Sequence, residues 1–79
     1  MPTLLQIFGF RFYIYSEEHE PIHIHVDYGD AWAKIELEPT VTLVYNHGMK
    51  QKELKKALGL AELYREEFIA GWNEYFKKG

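Results

Sequence analysis

The sequence predicts an α+β fold: a small antiparallel sheet of three to four strands, with a C-terminal helix packed on one face. Two observations carry this. Residues 3–45 read as strands, with period-two alternation of apolar and polar residues in FRFYIY, IHIHVDY and AWAKIEL, the pattern of half-buried strands. Apolar residues then recur at spacings of three, four or seven over residues 50–77, the pattern of one helical face. Strands followed by helix, without interleaving, mean α+β rather than a parallel α/β sheet. No linker, repeat or composition shift divides the chain, so residues 1–79 read as a single domain.

LLQIF (residues 4–8) is a short apolar run that suits an edge or first strand, and Gly9 lets the chain turn. FRFYIY (10–15) sets Phe10, Phe12 and Ile14 against Arg11, Tyr13 and Tyr15. The polar connection SEEHEP (16–21) ends at Pro21, which steers Glu20 away from helix. IHIHVDY (22–28) sets Ile22, Ile24 and Val26 against His23, His25 and Asp27. Gly29-Asp30 is a two-residue hairpin loop. AWAKIEL (31–37) sets Ala33, Ile35 and Leu37 against Trp32, Lys34 and Glu36, and Pro39 ends it. VTLVYN (41–46) reads as a further, shorter strand.

The hairpin register follows from the pattern. Pairing Tyr28 with Ala31 sets Ile24 opposite Ile35 and Val26 opposite Ala33, all inward. It sets His23 opposite Glu36, His25 opposite Lys34 and Asp27 opposite Trp32. A slip of one residue would bury the histidines and expose the isoleucines. The histidines are therefore expected on the wet face, away from the helix.

Leu54, Leu58, Ala61, Phe68, Trp72 and Tyr75 make the helical face. Glu53 at its start and Lys77 and Lys78 at its end suit the helix dipole. A straight helix over 50–77 would be about 40 Å long, longer than so small a domain is wide. A bend or break between about Gly59 and Arg65 is expected, or an end that protrudes toward a partner.

Composition narrows the function. With 47% hydrophobic and 27% charged residues the chain is globular. It has no Cys, which excludes disulfides and thiolate metal sites. Its net charge of −3 argues against a general phosphate-binding surface. No apolar stretch approaches about 20 residues and no signal-peptide pattern opens the chain, so a cytoplasmic protein without membrane contact is expected. Six Tyr, five Phe and two Trp are more aromatics than so small a core can absorb.

The outward face gathers Arg11, Tyr13, Tyr15, His23, His25, Asp27, Trp32, Lys34 and Glu36, with His19 at the rim. One reading is a divalent metal site. His-x-His on a strand puts two rings on one face about 6.6 Å apart at Cα, close enough to share one ion. His23 and His25 would be ligands, Glu36 a third ligand or an acceptor that orients the ring, and His19 a fourth ligand.

A second reading is metal-free acid–base chemistry on RNA. Here His23 and His25 act as acid and base, Glu36 orients His23, and Arg11 or Lys34 stabilises phosphate charge. Bases would stack on Tyr13, Tyr15 and Trp32. The third reading is a polar strand face, or a protein–protein interface that includes a homodimer.

Weaker candidates have plainer explanations. The run Lys50, Lys52, Lys55 and Lys56 is a solvated helix face. Asn46-His47-Gly48 is a turn into the helix with Asn46 near the cap. Trp72 and Phe76 read as core or partner contacts. A phosphate loop and a nucleophile elbow are both missing from the sequence.

Three stretches together resemble a known family: the opening MPTLLQIFGFRFYIYSEEHEPIHIHV, the NHG turn, and the ending YREEFIAGWNEYF. They are similar to the small prokaryotic family called domain of unknown function 4160. Its His-x-Pro-x-His-x-His-Val pattern falls on His19, Pro21, His23 and His25, with Ile22 where a second Pro is frequent. Its Trp-x-Glu-Tyr-Phe ending falls on Trp72, Tyr75 and Phe76. The resemblance implies no established activity. It does imply a small protein partner of the family called domain of unknown function 2442, whose genes lie beside this family's in a layout like a toxin–antitoxin pair. The expectation is one member of such a module, with the His-rich face acting on RNA. The alternatives are a non-catalytic protein-binding module or a His-ligated metal protein.

Overall fold

A computed structural model describes residues 2–15 and 21–77. Five strands come first: β1 (Thr3–Ile7), β2 (Phe10–Tyr13), β3 (His23–Tyr28), β4 (Ala31–Glu36) and β5 (Thr42–His47). Two helices follow, α1 (Gln51–Leu63) and α2 (Arg65–Lys77). The sheet is an antiparallel meander in the order β1-β2-β3-β4-β5. The strand count is thus five rather than three to four, because the short runs at both ends each complete a strand.

Local chemistry explains the turns. Phe8 and Gly9 both take positive φ, 53° and 85°, as a type I′ hairpin turn requires. A methyl group at Gly9 would stand 3.0 Å from the Tyr28 ring, so that glycine serves both backbone and packing. Gly29 supplies φ 61° at the β3–β4 turn. The β3–β4 register is the one the alternation specifies: His23 opposite Glu36, Ile24 opposite Ile35, His25 opposite Lys34 and Asp27 opposite Trp32.

Phe10, Phe12, Ile14, Ile22, Ile24, Val26, Ala33, Ile35 and Leu37 form the sheet side of the core. Met49, Ala57, Leu60, Ala61, Phe68 and Trp72 close it from the helical half. Phe12 meets Phe68 with ring centroids 5.0 Å apart. The entry to α1 is tied twice. Asn46 Oδ1 accepts from the Met49 N–H while its Nδ2 donates to the Met49 carbonyl, both at 3.0 Å. Glu53 then accepts the Lys50 N–H at 3.0 Å, satisfying one of the first-turn donors.

The helical half breaks at Tyr64, inside the expected interval and five residues beyond Gly59. Gly59 itself stays within α1. The whole molecule is 35 Å in its longest dimension, shorter than the unbroken helix would be. Arg65, the first residue of α2, donates from Nε to the Leu37 carbonyl at 2.6 Å and from a terminal nitrogen to Pro39 at 3.3 Å. These bonds tie the break to the chain leaving β4. No helix among the described residues is long and apolar enough to cross a membrane.

Candidate functional site

β2, β3, β4 and β5 carry the outward residues side by side. The register puts Arg11 opposite Asp27 and Tyr13 opposite His25 across β2–β3. It puts Lys34 opposite Tyr45 and Trp32 opposite His47 across β4–β5. Tyr13, Tyr15, His25, Asp27, Trp32 and Tyr45 line an open cleft of about 410 Å³.

One side of this cleft is held by a polar network. Asp27 accepts from the Tyr13 hydroxyl at 3.0 Å and from Arg11 at 3.3 Å. Arg11 also donates from Nε to Thr3 Oγ1 at 2.9 Å, and its guanidinium lies 4.4 Å from the Tyr13 ring centroid. Burial, followed by the hydrogen bond to Asp27, pushes the Tyr13 hydroxyl up to about 12. Tyr13 is therefore a fixed donor near neutral pH, and both Asp27 oxygens already accept a bond.

The histidines depart from expectation. The wet-face reading holds them exposed, yet His23 and His25 are each only 2% exposed. The alternation sets the direction of a side chain, and large neighbours then decide whether water reaches it. Tyr13 stacks on His25 at 5.5 Å and Tyr15 meets it edge-on at 5.0 Å. His23 meets His25 at 5.1 Å and the Trp72 ring of α2 at 4.9 Å. His23 therefore packs against the helical half rather than away from it. Its Nδ1 donates to the Pro21 carbonyl at 2.8 Å, because a carbonyl can only accept. A backbone carbonyl thus holds the ring that Glu36 was expected to orient.

Of the expected metal triad, His19 lies outside the described residues, and among those residues no group of three His, Asp or Glu side chains is placed to hold an ion. His23 and His25 remain adjacent rings, packed among aromatic side chains.

The rest of the cleft is open. Tyr15, Trp32 and Tyr45 are 43%, 39% and 40% exposed. Trp32 stacks on His47 at 4.8 Å and meets Tyr45 edge-on at 5.2 Å. Tyr45 and His47 were absent from the expected site. Their signal was weak because Val44 is an extra residue in β5: Lys34 pairs with Tyr45, while the next residue, Ile35, pairs with Leu43. A bulge of this kind resets the alternation on which a face assignment rests. Asp27 was placed on the outward face without a role, and the structure makes it the hub of the polar network.

No curated protein and no solved structure matches the chain. A model for a domain of unknown function matches residues 9–73, which contain every residue lining the cleft. The chain belongs to this family, domain of unknown function 4160.

Proposed function

We propose that the chain is a cytoplasmic binding module whose aromatic cleft takes a segment of a small protein partner, within a two-protein unit of toxin–antitoxin type. The observation that carries this reading is the contrast in the cleft. Three large aromatic side chains stand exposed around it, while its imidazole is buried and its carboxylate already bonded. Tyr and Trp provide large, stiff contact area with polar tips, and such residues dominate binding energy at protein interfaces. A net charge of −3 favours a protein surface over a phosphate backbone.

The test is a calorimetric titration with a purified protein of the domain of unknown function 2442 family. Wild type binds. The Tyr15→Ala/Trp32→Ala/Tyr45→Ala variant, still folded by circular dichroism, loses about 100-fold or more in affinity. Undiminished binding by the variant, or none by wild type, contradicts the reading.

A second reading keeps the cleft as an RNA site with His25 as acid or base, because the His25 ring lines the cleft. Under it, induced wild type arrests bacterial growth and degrades RNA, while a His25→Gln variant at matched soluble level does neither. Arg11 and Lys34 would then face phosphate, and Tyr15 and Trp32 the bases. A divalent metal has no such observation in its favour.

A further inference from the structure

The sheet ends in two edges of unequal protection. At β1, Leu4, Leu5 and Ile7 pack against the core. Helix α2 comes close enough there that a methyl group on Gly71 would stand 3.1 Å from both Leu4 terminal carbons. At β5, five of six residues are exposed, from Thr42 through His47 with Leu43 excepted. The strand reads TLVYNH, without Asp, Glu, Lys, Arg or Pro. Natural sheets guard an open edge with charge, proline, a bulge or a covering element. β5 has a bulge, but the residue there is Val44, 43% exposed and apolar.

We propose that β5 pairs antiparallel with β5 of a second copy of this chain, about a two-fold axis near Val44 and Tyr45, continuing the sheet across the dimer. Two observations favour a second copy. An uncharged strand can lie on itself without like-charge repulsion, and β-branched and aromatic side chains suit cross-strand pairing. The flanking charges also fit one orientation. Exposed Glu38 precedes the strand and exposed Lys50 and Lys52 follow it. Antiparallel pairing brings each Glu38 end toward the other copy's lysines, whereas parallel pairing would set like charges together. The contact brings two Trp32–Tyr45–His47 clusters side by side on one extended sheet. A strand pair of six residues is a small interface, so self-association is concentration-dependent.

Sedimentation equilibrium on the full chain tests this, with wild type, Val44→Lys, Val44→Glu and an equimolar mixture of the two variants. Circular dichroism checks that each is folded, which the exposure of Val44 favours. Wild type dimerises as concentration rises. Each variant alone self-associates about tenfold or more weakly, and the mixture recovers dimer because opposite charges then meet across the axis. Wild type that stays monomeric up to about 1 mM overturns the proposal, including the case in which a strand from another protein occupies β5. Variants that dimerise like wild type, or a mixture that recovers no dimer, overturn it as well. Val44 does not line the cleft, so failure here leaves the cleft reading standing.

Discussion

The two halves of the outward sheet face differ more than their alternation suggests. On β2 and β3, Tyr13, His23 and His25 are closed off by rings, and Tyr13 and His23 are hydrogen-bonded in place. On β4 and β5, Trp32 and Tyr45 line the same cleft and stand exposed. Both halves obey the same period-two rule. What separates them is which rings lie over each side chain. Tyr13, Tyr15 and Trp72 close over the histidines, whereas Trp32 on central β4 and Tyr45 on edge strand β5 stay about two-fifths exposed. Titratable side chains on such a face are best sought after asking which neighbour lies over them.

This contrast breaks most visibly if the histidines are removed. His23→Ala/His25→Ala is expected to cost about 2–5 kcal/mol, through lost ring contacts and the cavity left behind. Urea denaturation measures it. A change below about 0.5 kcal/mol would return the histidines to the wet surface.

The exposed half gives the opposite result. Trp32→Ala should change stability by less than about 1 kcal/mol, since a side chain left partly in water loses few core contacts. A loss as large as that of the histidine pair would mean that Trp32 belongs to the scaffold.

The polar network sharpens the comparison through pH. The Tyr13 hydroxyl titrates at 10.0 in the unfolded chain and near 12 in the folded one. Below pH 10 both states hold the proton and stability is unaffected. Between pH 10 and 12 the unfolded chain releases it first, so its contribution to stability falls as pH rises. Denaturation curves across that window should fall more steeply for wild type than for Tyr13→Phe. Equal slopes would place the hydroxyl in water.

The smallest effect belongs to the Arg11–Asp27 pair, whose side chains are 33% and 36% exposed. Solvent screens such a pair, so Arg11→Gln should cost about 0.5 kcal/mol. Added salt should shrink that difference. A salt-independent loss of several kcal/mol would show the pair to be fully enclosed.

The alternation of FRFYIY, IHIHVDY and AWAKIEL made the central strands and their register legible, because a slip of one residue exposes Ile24, Val26 and Ile35. The helix break was legible from length alone. The strand count was not, since β1 and β5 carry register irregularities and present a weaker alternation. Of the site, Arg11, Tyr13, Tyr15, His25 and Trp32 were assigned to the correct face. Burial of His23 and His25 was not legible, because it depends on Trp72 about fifty residues away in sequence and on ring orientations that no spacing encodes. Tyr45 and His47 were hidden by the bulge at Val44.

The chain's two tryptophans sample the two halves: Trp32 stands in the open cleft and Trp72 lies buried against His23. Their indole N–H signals in a two-dimensional NMR spectrum, followed while the protein partner is titrated in, test the central claim directly. The account predicts that the Trp32 signal shifts or broadens with partner concentration while the Trp72 signal stays in place. Movement of Trp72 with Trp32 unmoved would contradict it, and would put the histidine and helix side in contact with the partner.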